Sequence, residues 1–291
     1  MSSHIPHLHW TNEVDLESPI LLAAFEGWND AGEASTTAAR YLRDHFNAES
    51  VATIDAEDFF DFTVARPFVR LKNNSQRMIQ WPSTKLSATS IPNSQYDLVT
   101  LIGHEPQLRW RTFADQIASA AEAIGACQVI TLGALLVDVP HTRPVQVYGS
   151  SDDADLARRL EISPSTYEGP TGIVGVLSSH LRELGMPTAS FWAGVPAYVS
   201  NAPSPKAALA LVNRVCGALD ISISCTDLEI ASADYERQVS EIVAEDDSTA
   251  EYVEQLENDF DIEASESDFA DDPDRLVSEV EDFLRNHPGR N

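Results

Sequence analysis

Polar side chains suited to acid–base chemistry or ligand binding follow directly after short apolar segments of this sequence. The first group, Glu26 to Gly32, comes after the apolar segment Ile20 to Phe25. Three further groups lie in residues 103–106, 138–144 and 168–172. The candidate binding residues in these groups are Glu26, Gly27, Trp28, Asn29, Asp30, His104, Glu105, His141, Arg143, Glu168, Gly169 and Gly172.

These residue types indicate a cleft that binds a ligand. Carboxylates and imidazoles transfer protons in general acid–base catalysis, which makes five members of the set acid–base candidates: Glu26, Asp30, His104, His141 and Glu168. Arg143 is suited to an anionic ligand because its guanidinium donates paired hydrogen bonds. The turn 169–172, with glycines ahead of a helix, is a candidate phosphate cradle.

The same residues also have a structural interpretation. Carboxylates that precede helices cap them, an arginine pairs with a carboxylate, and histidines satisfy turns. The sequence contains no phosphate-binding loop, dinucleotide fingerprint or nucleophile elbow. Its 8 histidines include no pair with metal-ligand spacing. The sequence therefore identifies no catalytic residue, and we expect no metal and no cofactor.

An alternation of strands and helices is predicted to hold these groups. Short apolar segments such as 98–102 and 129–137 are typical of strands that are buried on both faces. A helix is predicted over Ile173 to Leu184, and Ser204-Pro205 is predicted to begin another, since it pairs an N-cap residue with proline. This alternation predicts an α/β fold with a mostly parallel sheet covered on both faces. The carboxyl ends of parallel strands meet at one edge, where ligands bind.

One segment, residues 62–82, interrupts the alternation. It contains two strand candidates, Thr63 to Leu71 and Gln76 to Trp81, with Asn73-Asn74 suited to the turn between them. A two-stranded hairpin is marginal alone and carries exposed apolar side chains here, so it lies on its own sheet or packs against another subunit. We favour the second arrangement.

The acidic residues divide the chain into two regions, 1–225 and 226–291. Counting 226–291 gives 22 acidic and 4 basic side chains, a formal charge of −18 out of the total of −27. Two capping-box patterns, at Thr226 to Glu229 and Ser248 to Glu251, precede narrow apolar stripes, and Asp272-Pro273 precedes a third. Isolated helices of this kind are unstable, so they are predicted to dock over the strand-end cleft of the first region as a lid. A disordered acidic tail is the alternative.

Composition excludes two classes of partner. A net charge of −27 disfavours nucleic acid and anionic membranes, because both need clustered Lys and Arg. The first twenty residues have no apolar stretch of signal-peptide length. The 3 cysteines, Cys127, Cys216 and Cys225, form no C-x-x-C pair and are expected to be buried free thiols. We therefore expect a cytoplasmic protein.

Four segments of the chain resemble the PAC2 (proteasome assembly chaperone 2) superfamily in its actinobacterial branch. The segments are Phe25 to Ala34, Gly103 to Pro106, Leu132 to Ala134 and Glu168 to Ile173, and the similarity extends from Pro19 to Leu219. The resemblance implies a three-layer α/β/α sandwich with a core like that of purine nucleoside phosphorylases. It also implies a homo-oligomer, with a trimer favoured, that has a helical C-terminal extension.

What the family resemblance implies about function is a binding or assembly role. Eukaryotic and archaeal relatives assist the assembly of 20S proteasomes, the archaeal ones through a C-terminal hydrophobic-Tyr-any residue tail. His287 to Asn291 do not have that pattern. We therefore expect a non-enzymatic protein that recognises a protein partner or small ligand at the strand-end cleft. The alternative is a hydrolase- or phosphorylase-like enzyme that uses the acid–base residues of the same cleft.

Overall fold

A computed structural model describes residues 6–12, 15–72, 76–200 and 202–267. The strands are β1 (Leu8–Trp10), β2 (Ile20–Glu26), β3 (Glu49–Ile54), β4 (Phe68–Lys72), β5 (Gln76–Gln80), β6 (Thr84–Thr89), β7 (Leu98–His104), β8 (Gln128–Val137), β9 (Val147–Ser150) and β10 (Thr188–Pro196). The helices are α1 (Ala34–His45), α2 (Trp110–Ala123), α3 (Ala154–Leu160), α4 (Ile173–Glu183), α5 (Pro205–Ala218), α6 (Thr226–Val243) and α7 (Asp247–Ser267). None of these described helices is both long and apolar enough to cross a bilayer.

Eight strands form one sheet in the order β1-β3-β6-β7-β2-β8-β10-β9. The four central strands, β7, β2, β8 and β10, run parallel to one another. The flanking pairs β1/β3, β3/β6, β6/β7 and β10/β9 are antiparallel. The α/β sandwich expected from the sequence is confirmed, but the expectation of a mostly parallel sheet is wrong at both flanks. The parallel centre comes from strands followed by helical crossovers, whereas the flanks do not need them.

Both faces of the sheet are covered, as continuous apolar strands require. Along β2, Leu22 belongs to one buried cluster and Leu21 to the other, because successive side chains point to opposite faces. Helices α1 and α5 cover the face of Leu22, and α2 and α4 cover the face of Leu21. The packed centre fixes the positions of the strand ends.

The segment 62–82 forms a separate two-stranded antiparallel sheet of β4 and β5. The first strand begins at Phe68 rather than at Thr63, because Asp61 accepts hydrogen bonds from the amide and hydroxyl of Thr63 and so turns the chain there. The predicted turn residues Asn73 and Asn74 lie outside the described residues. At the base of the hairpin, the rings of Phe62 and Trp81 pack with their centroids 4.9 Å apart.

The two acidic helices begin one or two residues earlier than the capping-box patterns suggest. Thr226 is the first residue of α6 and makes no cap, and Cys225 precedes it. Asp246, not Ser248, accepts a hydrogen bond from the amide of Thr249 at 2.8 Å and caps α7. Aspartate is as good an N-cap as serine. Asp246 directly precedes the first residue of α7, whereas Ser248 lies within the helix.

Three further expectations concern the cysteines, the third apolar stripe and the terminal residues. Cys216 and Cys225 are buried free thiols, but Cys127 is exposed, since it lies in the turn between α2 and β8 and its thiol contacts the carbonyl of Ser18. The third stripe after Asp272-Pro273 and the terminal residues 287–291 lie outside the described residues.

Candidate functional site

The predicted site residues that precede Glu168 in the sequence lie at one edge of the sheet. Glu26 at the end of β2 pairs with His104 at the end of β7, and Pro196 at the end of β10 pairs with Val137 at the end of β8. All four strands are parallel, so their carboxyl ends face the same way. The loops after β2, β7 and β8 therefore share a rim, which we call the strand-end rim.

Asp30 serves the helix that follows it. Its Oδ1 accepts hydrogen bonds from the amide of Ser35 at 2.8 Å and the amide of Thr36 at 3.1 Å. The hydroxyls of the same two residues donate to the carboxylate at 2.6 and 2.5 Å. Asp30 is buried. Amides in the first turn of α1 are thus bound by the chain's own carboxylate.

Glu105 does the same for α4. Its Oε1 accepts a hydrogen bond from the amide of Ile173 and another from the side-chain amide of Asn29, each at 2.9 Å. Gly172 permits this approach, because a Cβ there would lie 2.3 Å from Asn29 Nδ2. The candidate phosphate cradle at 169–172 is therefore closed at its helix end by Glu105. The Oδ1 atom of Asn29 is buried without a hydrogen bond among the described residues.

Gly27 and Trp28 form the turn between β2 and these caps. Gly27 has a φ of +127°, which side-chain-bearing residues rarely adopt, and a Cβ there would lie 3.2 Å from Glu105 Cβ. Trp28 follows with 55% of its surface exposed. Leu108, in the loop after β7, is 49% exposed. The rim thus carries large apolar side chains as well as polar ones.

Glu26 and His104 make the one acid–base contact of the rim that is partly open to solvent. His104 Nδ1 lies 2.6 Å from Glu26 Oε2, and both side chains are about one-third exposed, at 38% and 33%. Arg40 of α1 pairs with the other carboxylate oxygen. The hydrogen bond from His104 is the main cause that lowers the pKa of Glu26, with His104 and Arg40 charges adding to it against desolvation.

His141 is a buried link between the core and α6. Its Nδ1 lies 2.7 Å from the hydroxyl of Tyr198, and its Nε2 lies 2.9 Å from Ser240 Oγ. The Ser240 hydroxyl donates to the carbonyl of Glu236. Ser240 therefore accepts from Nε2–H, and Tyr198 donates to an unprotonated Nδ1. Burial, followed by the charge of Lys206, lowers the pKa of His141.

Arg143 pairs with α7 rather than with an open site. Its Nε and Nη2 each donate to a carboxylate oxygen of Asp261 at 2.8 Å, and its Nη1 lies 3.5 Å from Glu257. Nearby, the hydroxyl of Tyr252 donates to Asp138 at 2.9 Å. The fork geometry that suits an anionic ligand is used here for the chain's own acidic helix.

Two residues of the fourth group, which is 168–172, lie apart from the other groups. Glu168 and Gly169 lie on an exposed loop, and among the described residues Glu168 makes no hydrogen bond or ion pair. A Cβ on Gly169 would meet the ring of Tyr167. Gly172 belongs with Asn29 and Glu105, as described above, but Glu168 does not join the acid–base pair Glu26–His104.

A small cavity lies beneath α6 at the β8 and β10 ends. Its volume is about 10 Å³, room for about one water molecule, and its lining includes His141, Lys206 and Tyr235. Among the described residues, no three His, Cys, Asp or Glu side chains are placed to hold a metal ion. The cavity is too small for a nucleoside or a peptide.

Sequence reasoning missed the partners that come from helices. Arg40, Lys206 and Ser240 contact predicted residues but were not among the candidates. Arg40 lies one helical turn after Thr36, which donates hydrogen bonds to Asp30. Helical spacing could therefore have predicted that Arg40 lies on the rim side of α1. Ser240 had no such signal, because its contact with His141 spans 99 residues.

Comparisons with known proteins agree on one family. The model of the PAC2 family matches residues 24–243. A PAC2 family protein from Streptomyces avermitilis is 44% identical, covers 81% of this chain and 99% of its own, and has a TM-score of 0.76. A Mycobacterium tuberculosis proteasome-assembly chaperone homologue is 43% identical over 80% of this chain and 99% of its own, with a TM-score of 0.73.

A more distant structure shares the fold alone. The Pyrococcus furiosus archaeal proteasome activator PbaB is 18% identical, covers 81% of this chain and 97% of its own, and has a TM-score of 0.66. No curated protein matches the chain.

Proposed function

Because the chain belongs to the PAC2 family, we propose that it is a non-enzymatic, assembly-chaperone-like protein that recognises a protein partner at its strand-end rim. The Mycobacterium tuberculosis relative is a proteasome-assembly chaperone homologue. Proteasome subunits are therefore the partner class that we propose. Family membership supports the assembly-chaperone-like role, and the residues of the rim support the proposal that the partner binds there.

The observation that carries the proposal is that carboxylates of the chain itself bind the positively charged and amide donors of the rim. Asp30 binds the first amides of α1, Glu105 binds the first amide of α4, and Asp261 binds the guanidinium of Arg143. The start of α4 and the guanidinium of Arg143 were candidate sites for a small anion, and the start of α1 is a positive feature of the same kind. Since all three are satisfied internally, the rim favours a surface for a protein over a pocket for a charged metabolite.

Exposed apolar side chains supply the contact surface. Trp28 and Leu108 follow the adjacent strands β2 and β7 on the rim. Large side chains of this kind, next to polar groups, are typical of protein–protein contacts. Tryptophan is also among the residues that contribute most to binding energy at interfaces.

We further propose that the protein is a cytoplasmic homo-oligomer, with a trimer favoured, and that α6 and α7 act as a lid over the β8 and β10 side of the rim. The free thiols support a reducing compartment. The contacts His141–Ser240 and Arg143–Asp261 support the lid. Neither nucleic acid nor membrane is a proposed partner, given the net charge of −27.

The test is direct binding to purified proteasome subunits from the same organism, measured by calorimetry. We expect Trp28→Ala and Leu108→Ala each to weaken binding at least tenfold by the loss of apolar contact. Leu184→Ala is the matched control, because Leu184 is 62% exposed but lies ahead of β10, at the opposite edge of the sheet. Absence of binding by the wild-type protein, or equal weakening by Leu184→Ala, would contradict the proposal.

A second candidate function is supported by the pair Glu26–His104. A carboxylate that orients a histidine is a common arrangement of a general base, and this pair is partly open to solvent. It corresponds to the hydrolase- or phosphorylase-like alternative. The test is turnover of a panel of nucleosides, esters and peptides. Turnover at an ordinary enzymatic rate that His104→Ala abolishes would favour the enzyme, and no turnover would remove it.

A further inference from the structure

We propose that the hairpin β4–β5 of one copy docks on the acidic outer face of helix α7 in a second copy. This inference rests on the proposed self-association and identifies the two surfaces that meet. It is carried by the exposure of the hairpin, by its charge, and by an unpaired row of carboxylates on α7.

The hairpin has apolar surface that no described residue of its own chain covers. Every residue of both five-residue strands is exposed. Val69 pairs with Ile79 across the hairpin, and Leu71 lies two residues further along the same face. These three side chains are 59%, 51% and 61% exposed. Phe68 and Met78, on the opposite face, are exposed as well. A two-stranded hairpin with exposed apolar side chains is marginal in water, so a partner that covers them stabilises it.

The hairpin is also the basic part of an acidic protein. Residues 62–82 contain 4 basic side chains and no acidic one, in a chain whose net charge is −27. The basic residues are Arg66, Arg70, Lys72 and Arg77. Among the described residues none of them forms an ion pair, and Arg70 donates only to Gln80 on the opposite strand. The hairpin therefore presents positive charge that no described residue of its own copy compensates.

Helix α7 has the complementary surface. Asp247, Glu251 and Glu254 are spaced four and three residues apart, so they lie in a row on one helical face. All three are exposed, and no basic side chain of the described residues pairs with them. By contrast, Glu257 and Asp261 further along the helix are bound to Arg143. The three carboxylates repel one another along the helix, and a positively charged partner would relieve this repulsion.

A second copy is the partner that the charges favour. Within the described part of one copy the exposed hairpin touches no carboxylate, while a second copy offers the acidic row. Nucleic acid and anionic membranes would be attracted to the hairpin but repelled by the remainder of the molecule. A contact between two different surfaces is head-to-tail, and such contacts form a ring when the rotation between copies closes and a filament when it does not. The pairing is thus compatible with the proposed trimer.

The experiment reverses each charged surface and then both. Molecular mass is measured by light scattering at 0.15 M salt for wild-type protein, for a hairpin variant (Arg70→Glu, Lys72→Glu, Arg77→Glu) and for a helix variant (Asp247→Lys, Glu251→Lys, Glu254→Lys). We expect wild-type oligomers and at least a hundredfold weaker association of each variant. The variant with all six changes should associate again, because its charges are complementary once more.

Controls separate folding from docking. A matched variant (Arg111→Glu, Arg158→Glu, Arg182→Glu) makes the same change in net charge at exposed sites away from the hairpin and should remain an oligomer. Circular dichroism verifies that every variant is folded. Failure of the six-change variant to associate would overturn the proposed pairing even if both single-surface variants dissociate.

The remaining outcomes each have a definite meaning. Monomeric wild-type protein would overturn the self-association itself, together with this inference. Oligomeric wild type with an oligomeric hairpin variant would overturn the inference alone, and the same holds for an oligomeric helix variant. Binding of wild-type protein to phosphatidylglycerol vesicles or duplex DNA at 0.15 M salt, lost in the hairpin variant, would assign the hairpin to those partners instead.

Discussion

Glu105, in the loop after β7, accepts the hydrogen bond from the amide of Ile173 at the start of α4, with 2.9 Å between Oε1 and N. The two residues are 68 positions apart in the chain. The usual source of a helix cap is a side chain just before the helix. Here Gly172 occupies that position and makes no side-chain cap, so a carboxylate from a neighbouring strand supplies the acceptor.

Replacing this carboxylate should destabilise the fold. We expect Glu105→Ala to lower the free energy of unfolding by about 1–3 kcal/mol, because the Ile173 amide and the Asn29 side chain both lose their acceptor. Glu105→Gln keeps an acceptor oxygen and should cost less. Urea unfolding followed by fluorescence measures both. Equal stability of wild type and Glu105→Ala would show that the cap is not structural.

The turn that carries Trp28 depends on a glycine conformation. Gly27→Ala should lower the free energy of unfolding by about 1–3 kcal/mol, since φ is +127° there and the added Cβ would crowd Glu105. Gly217 in α5 is the matched control, as it is exposed and an added Cβ meets nothing within 4 Å. Gly217→Ala should raise stability by about 0.5–1 kcal/mol. Similar effects at both positions would contradict this account.

Local signals were enough to predict the central strands β2, β7 and β8 and the polar turns that follow them. The continuous apolar runs of β2 and β7 gave the buried strands, and Ser204-Pro205 marked the start of α5, where the Ser204 hydroxyl accepts from the Ala207 amide. Because both runs end in polar turns, the sequence also placed Glu26 and His104 at strand ends. Their pairing in the sheet makes them neighbours.

What the sequence could not predict are contacts between distant segments. The carboxylates that bind the starts of α1 and α4 were expected either to cap helices or to serve a ligand, and nothing local distinguishes the two. The Ile173 amide that donates to Glu105 lies 68 residues away from it, and the Asp261 carboxylate that accepts from Arg143 lies 118 residues away. The antiparallel flanks were missed for a similar reason, since strand order depends on packing rather than on the pattern within one strand.

Stability should depend on pH through His141. A lowered pKa means that the unfolded chain binds a proton that the folded protein does not, so folding becomes less favourable as pH falls below 6.5, the usual pKa of histidine. The geometry agrees, because a proton on Nδ1 would face a Tyr198 hydroxyl that already accepts from the His141 amide. The cost continues to grow until pH reaches the lowered folded pKa.

Urea unfolding at pH 7.5 and 5.5 measures this effect. Wild-type protein should be less stable at pH 5.5, and His141→Gln should lose most of that difference while being less stable at pH 7.5. Three side chains face the imidazole: Lys206 adds to the lowering of the His141 pKa, and Glu236 and Glu257 oppose it. A pH dependence that is unchanged in His141→Gln would assign it to other groups.

The acidic helices should protect apolar surface of the core. Val239 and Tyr235 of α6 are buried, and Leu228 packs in the same cluster as α1 and α5. Ending the chain after Cys225 should therefore expose that surface, increase binding of a hydrophobic dye and lower the free energy of unfolding. Unchanged stability without dye binding would show that the helices contribute nothing to the core.

A milder change tests the same docking without removing the helices. Arg143→Ala removes the paired hydrogen bonds to Asp261, so amides in α7 should exchange with deuterium faster, whereas those of α5 should not change. Arg158→Ala is the matched control, because Arg158 forms an ion pair with Asp155 that is almost fully exposed. If both variants leave exchange in α7 at the wild-type rate, Arg143 does not hold the helix. Faster exchange in Arg143→Ala alone would show that one guanidinium at the end of β8 holds α7 over the rim.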